Sequence, residues 1–363
     1  MKILKRNIYF NKRNKNIFLS VKKRKYKKYY PSQKTKNFIQ LIKILFSTIL
    51  STFLYKINIF LEKYKYCYEC IEEKKVEESK CLECPNEILY KNLYIVSTEN
   101  TLNEIIKNHK SISRFGDGEI AMILGGSISF QRRDSHLGKR LFEVLNSNET
   151  NLLIGLYFPY QKKKLNALDD DNYKFWDGWI RHNKFRMLNI LKKRKYYSTD
   201  ISRFYTNIKD KYKVYKYIPK LKKIWEGRDV LMIEGEKTRF GIGNDLLNNT
   251  KSIKRILCPT KNAYNLYDKI LNAALKFEKT KLIIISLGPT ATILAYDLTK
   301  YGYQAIDLGH ADIQYEMYLR NATKHILIPY KFVNEYDAGK NEASLLDAPD
   351  KRYYDQIIEK ILH

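Results

Sequence analysis

The sequence predicts an α/β fold in which helices flank a mostly parallel sheet. The second half of the chain alternates helix-length segments with four short apolar runs, at 229–233, 253–258, 282–286 and 304–308. Strands that alternate with helices in this way pair in parallel through right-handed crossovers. Three of the runs lead into glycine and polar residues, and ligands of parallel sheets bind beyond the carboxyl ends of the strands.

Residues 1–37 are predicted to form a basic, mostly disordered arm. They contain fourteen Lys or Arg residues and no Asp or Glu, which is half of the formal net charge of +28. The arm has no apolar periodicity that could build a core. A strongly basic chain can indicate a nucleic-acid partner. Because the charge is concentrated in one terminal segment, we do not expect that partner here.

An apolar helix that associates with a membrane or spans it is predicted at 38–62. Lys43 is the only charged residue within 38–55, a segment at the lower limit of length for a membrane span. The alternatives are an amphipathic helix lying on the membrane and a helix packed on the main domain. The basic flank favours an anionic membrane surface, so we expect a cytoplasmic protein associated with the inner face of the membrane.

A small four-cysteine knuckle is predicted at 63–88. Two C-x2-C pairs are separated by ten residues there, a spacing that suits a structural Zn²⁺ ion, and they consist of Cys67, Cys70, Cys81 and Cys84. Two disulfides, or solvated thiols in a charged linker, are the alternatives. A zinc ion in this place would connect segments of the chain and would take no part in the chemistry.

The main domain is predicted at 89–340 and is followed by a C-terminal helix at 341–363. A short apolar strand is expected early in this domain, at 152–156. Trp176 and Trp179 lie in the aromatic stretch that follows. Their flat rings could stack on sugar faces, although tryptophan more often packs in a core.

The first candidate site is the sequence Arg-Phe-Gly-Asp-Gly-Glu at 114–119. Asp117 and Glu119 lie one residue apart and each adjoins a glycine, so their oxygens can face one hard cation while the backbone approaches a ligand. Arg114 adds a fork of donors that suits phosphate. The pattern therefore favours a diphosphate held through a metal ion, and an ordinary Asp-Gly turn is the alternative.

Two loops after later strands add candidate ligand-binding residues. One holds Arg239, Asn244 and Asp245 together with two glycines within seven residues, which is more polar chemistry than a structural turn requires. The other begins a helix with Gly288 and Thr290, where free backbone amides can receive a phosphate. Helix capping is an equally good explanation for the threonine.

The last strand leads into His310, Asp312 and Glu316. The two acids are four residues apart, so they share one face of the predicted helix. Carboxylates in this place suit general-base chemistry or metal binding. We expect Asp312 or Glu316 to be the catalytic base, with Glu234, at the end of an earlier strand, in reserve.

Several other site classes are absent from the sequence. No Walker phosphate loop is present, and no Gly-x-Gly-x-x-Gly follows a first strand. The cysteines and histidines offer no arrangement for a catalytic nucleophile. The remaining acids, arginines and glycine loops favour a metal-assisted transfer from a diphosphate donor.

Ordered motifs across the main domain resemble those of the glycosyltransferase GT-D fold family, bacterial enzymes that use sugar nucleotides. The motifs are RFGDGE (114–119), SFQ (129–131), SRFY (202–205), EGExxRFGxGND (234–245), RILCPTKNAY (255–264), LGPTATILAYDL (287–298) and AIDLGHADIQYEMYL (305–319). The resemblance implies a Rossmann-like domain that binds a UDP-sugar with Mn²⁺ or Mg²⁺ through an Asp-x-Glu motif. It also implies transfer of glucose or another hexose to a glycan or glycoprotein acceptor in surface-glycoprotein or polysaccharide biosynthesis.

The combined prediction is a metal-dependent glycosyltransferase whose cation is held by Asp117 and Glu119. The nucleotide sugar is expected to contact those two acids and a larger set of residues, namely Arg114, Arg239, Asn244, Asp245, Gly288, Thr290 and His310. One rival is a nucleic-acid-binding protein that carries a basic arm and a zinc knuckle on an inert α/β body. The other is a nucleotide-sugar hydrolase or phosphotransferase with the same pocket.

Overall fold

The computed structural model describes residues 93–157, 166–333 and 351–362, together with two short strands in the basic arm. These strands, Tyr9–Phe10 and Ile17–Phe18, pair antiparallel. The rest of the arm, the apolar segment 38–62 and the four paired cysteines lie outside the described residues. Within the described ranges, no helix combines the length and the apolar character needed to cross a membrane.

A parallel nine-stranded sheet forms the centre of the main domain. Its strands are β1 (Leu93–Ile95), β2 (Ser111–Phe115), β3 (Leu152–Leu156), β4 (Arg194–Ser198), β5 (Asp229–Gly235), β6 (Ser252–Cys258), β7 (Leu282–Ser286), β8 (Gln304–Asp307) and β9 (Ile357–Lys360). Their order across the sheet is β9-β6-β5-β7-β8-β2-β3-β4-β1, and every described pair is parallel. The predicted α/β class is confirmed.

Nine helices are described around this sheet. They are α1 (Thr98–Lys107), α2 (Asp117–Ile123), α3 (Ser135–Leu145), α4 (Asp170–Ile190), α5 (Val214–Lys222), α6 (Tyr267–Leu275), α7 (Pro289–Lys300), α8 (Ala311–Leu319) and α9 (Arg352–Gln356). A single helix was expected over 341–363, but the described part of that range forms the short α9 and then β9. The strand forms because it pairs in parallel with β6 at the edge of the sheet.

Both faces of the sheet are buried, which explains why its strands read as continuous apolar runs. In β5, Val230 and Met232 pack into one cluster with residues of α1, α5 and α8. Leu231 and Ile233 point to the opposite face and pack with residues of α6 and α7. Because successive side chains of a strand alternate between faces, one strand contributes to both halves of the core.

Three helices begin directly after three neighbouring strands in the middle of the sheet. Helix α7 follows β7 through Gly288, α8 follows β8 through Gly309 and His310, and α2 follows β2 through Gly116. Gly116, Gly288 and His310 are the residues that precede the first helical turns. These starts bring three sets of unpaired backbone amides, and the positive ends of three helix dipoles, to one edge of the sheet.

Candidate active site

A cavity of about 410 Å³ lies over this edge of the sheet. Residues at the carboxyl ends of seven strands line it, from β6 on one side to β4 on the other; they include Pro259, Gly235, Ser286, Gly309, Gly116, Tyr157 and Thr199. Its volume falls in the range of small-molecule sites, and its position is where parallel sheets bind ligands. We therefore treat this cavity as the candidate active site.

The two acids of the 114–119 motif line the cavity from the first turn of α2. Glu119 is held in place, because its Oε2 accepts a hydrogen bond from the Gly116 N–H at 2.9 Å. Burial raises the pKa of Glu119 to about 7, although the Gly116 N–H opposes the shift. The Asp117 carboxylate forms no hydrogen bond or ion pair with any residue that the structure describes. One acid is thus oriented and the other is available to a ligand.

Arg114 lies beside these acids and is fixed by two neighbouring segments. Its Nη2 contacts Asp307 Oδ1 at 2.6 Å, and its Nε donates to the Asp307 carbonyl at 2.7 Å. Its Nη1 donates to Ser202 Oγ at 2.6 Å. Burial raises the pKa of Asp307, and Arg114 is the largest opposing influence. The guanidinium therefore lines the cavity in one held orientation.

At two of the cavity glycines, any other residue would place a Cβ in steric clash with a neighbouring side chain. Gly288 has φ of +54°, and a Cβ there would lie 2.7 Å from the Phe130 ring. Gly309 has φ of +42°, and a Cβ there would overlap the Arg114 guanidinium, with Cζ 3.0 Å away. Thr290, two residues into the Gly288 turn, is buried and its hydroxyl finds no hydrogen-bond partner among the described residues. Thr290 does not line the cavity.

His310 lines the cavity and contacts Arg203, which lines it as well. Arg203 Nη2 lies 3.3 Å from His310 Nδ1. An arginine side chain can only donate, so this contact requires an unprotonated Nδ1, and the neutral ring then carries its proton on Nε2. In that tautomer His310 offers a hydrogen-bond donor to a ligand.

The two acids of α8 share one helix face, as expected, but the structure does not place them on the cavity. Lys331 Nζ lies 2.6 Å from Asp312 Oδ2 and 2.8 Å from Glu316 Oε1. Asn244 Nδ2 donates to both carboxylates, and Arg320 pairs with Glu316. Burial raises the pKa of Asp312, whereas Lys331, Asn244 and Arg320 together lower that of Glu316 against its burial. These acids form a buried ionic cluster.

Glu234 also lies away from the cavity lining. It is fully buried at the end of β5, where Arg255 Nη1 lies 2.5 Å from its Oε1. Its Oε2 accepts a hydrogen bond from the Phe240 N–H at 2.7 Å. Both carboxylate oxygens are therefore occupied by the protein itself.

The 239–245 loop does not line the cavity, and its charged side chains contact other segments of the protein. Arg239 Nη1 donates to the Tyr330 carbonyl at 2.8 Å. Asp245 accepts from Lys222 Nζ and from the Tyr315 hydroxyl, each at 2.6 Å. Of the residues predicted to bind the nucleotide sugar, the structure brings five together around the cavity: Arg114, Asp117, Glu119, Gly288 and His310.

Most residues of one cavity wall have no recognisable motif in the sequence. Helix α4 contributes Asn172, Phe175 and Trp176, and segments after β4 contribute Thr199 and Asn207. Only Trp176 stood out beforehand, as an aromatic residue that could stack on sugar. The strand Arg194–Ser198 has no apolar run to mark it, so the residues that follow it gave no signal of lying at a strand end.

The donor set suits a hard divalent cation bound together with a phosphate ligand. No group of three or more His, Cys, Asp or Glu residues close enough to hold a metal occurs within the described ranges. Mg²⁺ and similar ions are commonly held by one or two carboxylates plus substrate phosphates and water. Asp117 and Glu119 match that pattern, because they are two acids in the wall of a cavity large enough for the donor.

Comparisons with known proteins show which family the chain resembles. The family model described as Glycosyltransferase GT-D fold matches residues 112–336. The chain is 35% identical over 270 residues to "Probable glycosyl transferase Gly" of Streptococcus gordonii, a match that covers 74% of this chain and 39% of that protein. It is 32% identical over 290 residues to "Glycosyltransferase GlyD" of Streptococcus pneumoniae serotype 4, covering 80% of this chain and 35% of the relative. The chain thus matches little more than a third of the length of these relatives.

Two solved structures are similar over most of the chain. One, described as "The highly conserved domain of unknown function 1792 has a distinct glycosyltransferase fold", has a TM-score of 0.71 and 35% identity, and the match covers 77% of this chain and 99% of that one. The other, "A New Glycosyltransferase (DUF1792) from Streptococcus sanguinis", has a TM-score of 0.70 and 33% identity, covering 74% and 99%. The resemblance drawn from the motifs is confirmed: the chain belongs to the glycosyltransferase GT-D fold family.

Proposed function

We propose that this enzyme transfers glucose or another hexose from a UDP-sugar to a glycan or glycoprotein acceptor, with the help of a divalent cation. The observation that carries the proposal is the meeting of Asp117 and Glu119 with the glycine turns at Gly288 and Gly309 in one cavity. Acids for a cation and close backbone for a diphosphate are the two requirements of such a donor. The proposed setting is the biosynthesis of a surface glycoprotein or polysaccharide.

Asp117 and Glu119 would hold the Mn²⁺ or Mg²⁺ ion. When bound, the cation neutralises charge that develops on the leaving nucleotide. The oriented Glu119 and the available Asp117 carboxylate fit a site that is completed by the diphosphate of the donor. Such an ion would also compensate the cost of keeping a buried carboxylate charged.

Arg114, His310 and the three helix N-termini would bind the diphosphate. Arg114 is already fixed by Asp307 and Ser202, so little side-chain entropy is lost when a ligand arrives. The starts of α2, α7 and α8 add backbone amides and positive dipole ends. The arrangement favours a ligand with several negative oxygens over a neutral one.

The three acids predicted as candidate acceptor bases lie outside the cavity lining. Asp312, Glu316 and Glu234 do not line the cavity, and each is engaged in buried ionic contacts. We propose that they position the cavity walls. Asp117 and Glu119 are the carboxylic acids of the described lining, and carboxylates can act as general bases.

The decisive experiment is a transfer assay with UDP-[¹⁴C]glucose, MnCl₂ and a panel of glycan acceptors. Turnover is expected to stop in EDTA, to return with added Mn²⁺, and to be lost in the double variant Asp117→Asn, Glu119→Gln. The matched control is Asp268→Asn, which alters an exposed acid in the first turn of another helix. Turnover that persists in EDTA, or in the double variant, would overturn the metal-dependent mechanism.

The same assay separates the rival activities. Radioactive glucose released to water, without labelled acceptor, would identify a hydrolase. Deletion of residues 1–88 tests the nucleic-acid-binding alternative. Transfer by the truncated protein would show that the basic arm is dispensable for the chemistry.

We further propose that the segment before the main domain brings the enzyme to an anionic membrane surface. The support is the charge of 1–37 next to the apolar run at 38–55. Sedimentation with vesicles that contain phosphatidylglycerol, compared between the full chain and the 1–88 deletion, tests this. A structural Zn²⁺ at the four cysteines is a separate proposal, which metal analysis of the purified full chain would decide.

A further inference from the structure

The wall that α4 adds to the cavity has a different chemistry from the wall that carries the acids. Phe175, Trp176 and Asn172 come from α4, and Asn207 and Thr199 from segments after β4. These side chains are aromatic, amide or hydroxyl groups. Arg203, which lies between Thr199 and Asn207 in the chain, also lines the cavity, and its guanidinium contacts His310. Flat aromatic faces beside neutral hydrogen-bonding groups suit an uncharged ligand with many hydroxyls, and they suit a diphosphate poorly.

Phe175 is the unusual member of this wall. Its side chain is 51% exposed although it lines the cavity, whereas Trp176 beside it is 5% exposed. Trp176 packs at 4.8 Å against the Tyr157 ring and edge-on, at 5.4 Å, against Phe175. The buried rings therefore support Phe175 in place and leave part of its surface open to the cavity. The negative face of an aromatic ring attracts the slightly positive C–H groups of a sugar ring.

Thr199 provides a second and independent observation. It lines the cavity, is 3% exposed, and its Oγ1 has no hydrogen-bond partner among the described residues. A buried hydroxyl without a partner costs stability. Such a group is accounted for if a ligand supplies the missing hydrogen bond.

The order of the strands sets how far the cavity extends on each side of the two acids, and these two parts of the cavity are called its arms. Asp117 and Glu119 follow β2, and the cavity extends from there past β8, β7 and β5 to β6 on one side and past β3 to β4 on the other. With strands about 4.8 Å apart, the first arm extends about 19 Å and the second about 10 Å. The long arm contains the Gly288 and Gly309 turns, and its length suits an extended nucleoside diphosphate. The short arm is about half as long, a length that suits a sugar ring.

We propose that the short arm is the acceptor subsite, in which Phe175 stacks on the terminal sugar of the acceptor glycan and Thr199 hydrogen-bonds one of its hydroxyls. This inference rests on the proposed function, because it presumes that the donor occupies the long arm. It identifies the acceptor as one that ends in a sugar ring with a face open to stacking. It also makes α4 the element that determines acceptor specificity.

The test measures sugar binding directly, without turnover. The full-length protein, with UDP and MnCl₂ present, is titrated with methyl glycosides and disaccharides of glucose, galactose and N-acetylglucosamine, and binding is followed by saturation-transfer NMR. Phe175→Ala should weaken glycoside binding by about three- to tenfold, and Phe175→Trp should restore it. Phe142→Ala, at a phenylalanine of α3 that is 42% exposed and lies off the cavity, is the matched control and should bind like wild type.

Thr199→Val separates a role of the hydroxyl in sugar binding from a role in stabilising the fold, because the two roles predict opposite changes in the melting temperature. Removing an unpartnered buried hydroxyl should leave the melting temperature unchanged or raise it. Glycoside binding should nevertheless weaken by several fold. A variant that loses both stability and binding would instead mean that the threonine acts through the fold.

Three results would overturn the proposal. The first is that no glycoside of the panel binds the wild-type protein. The second is that Phe175→Ala and Phe142→Ala bind glycosides equally well. The third is that Phe175→Ala weakens UDP binding and leaves glycoside binding intact, which would assign the ring to the nucleobase. The titration is also repeated without UDP and MnCl₂. Failure of the wild type to bind UDP with Mn²⁺, while glycosides still bind and Phe175→Ala weakens their binding, would count against the proposed function and not against the glycoside subsite.

Discussion

Lys331 and Asp312 form a buried ion pair, with Nζ 2.6 Å from Oδ2, that ties a C-terminal segment to helix α8 behind the cavity. The residues on either side of this pair reach the ligand space: Phe332 follows Lys331, and His310 lies two residues before Asp312. Lys331 also contacts Glu316. One ionic cluster therefore holds two parts of the cavity wall in register.

The first prediction concerns the cation of this cluster. Lys331→Met leaves Asp312 and Glu316 as neighbouring buried carboxylates without their central partner. Breaking a buried ion pair from one side typically costs about 3–5 kcal/mol, so the free energy of unfolding in urea should fall by that order. Lys324→Met, at an exposed lysine nearby in the chain, should change it by less than about 0.5 kcal/mol. Equal effects of the two changes would contradict a structural role for the cluster.

The second prediction separates the two roles considered for Asp312. Asp312→Asn removes the charge of the side chain but keeps its shape. If Asp312 has a structural role, the substitution should lower the free energy of unfolding by about 1–3 kcal/mol. The kcat of the protein that remains folded should then stay within a few fold of wild type. Circular dichroism melting and the transfer assay at a temperature below the transition measure both quantities. A large loss of kcat with unchanged stability would instead restore Asp312 as the acceptor base.

The third prediction uses Gly309, whose missing side chain makes room for Arg114. Gly309→Ala should displace the guanidinium from Asp307, because the added Cβ overlaps it. UDP affinity should fall by about tenfold or more, since a charge-assisted contact to phosphate is worth about 1.5–3 kcal/mol. Isothermal titration calorimetry with UDP and Mn²⁺ measures this loss.

Gly227→Ala is the control for backbone strain. Gly227 also has a positive φ, of +65°, but a Cβ there would have no atom within 4 Å. The two variants therefore share the strain and differ in the clash. If both weaken UDP binding equally, the effect of Gly309→Ala comes from the backbone, and the proposed part of Arg114 is wrong.

Sequence patterns predicted the central strands well because those strands are buried on both faces. The apolar runs at 282–286 and 304–308 correspond to β7 and β8. Strand β2 was missed, although it lies near the centre of the sheet, because its sequence Ser-Ile-Ser-Arg-Phe contains only two apolar residues. The charge of Arg114 is tolerated there since Asp307 neutralises it across 193 positions of sequence. No local pattern carries that information.

The candidate site shows the same division between local and distant information. The spacing of Asp312 and Glu316 correctly predicted a shared helix face. It could not reveal that the face turns inward, because that depends on Lys331 reaching the interior from a later segment. Asp117 and Glu119 were recognisable because the two acids and their neighbouring glycines lie together within a six-residue motif. Residues that line the cavity from a long helix, such as Phe175, have no such signature.

The fourth prediction follows from the carboxyl group of Glu119. Its pKa is raised from the ordinary 4.5 to about 7, chiefly by burial. The folded protein therefore binds this proton more tightly than the unfolded chain does. The stability that the folded state gains from this tighter proton binding decreases as the pH rises from about 4.5 to about 7, and it is fully lost above pH 7. For a shift of this size the change in free energy is at most about 3 kcal/mol.

Glu119→Gln removes the titrating group but keeps an oxygen that can accept the Gly116 N–H. The variant should match wild type in melting temperature near pH 4.5 and become progressively more stable than wild type as the pH rises to about 7, after which the difference should stay constant. Comparing the two proteins at each pH cancels the contributions of every other titrating group. Because the sign is fixed by the direction of the shift, a difference that shrinks as the pH rises would mean that the folded protein stabilises Glu119 as the carboxylate, with a pKa below the ordinary value. A constant difference would mean that its environment in the folded protein is no less hydrated than in the unfolded chain.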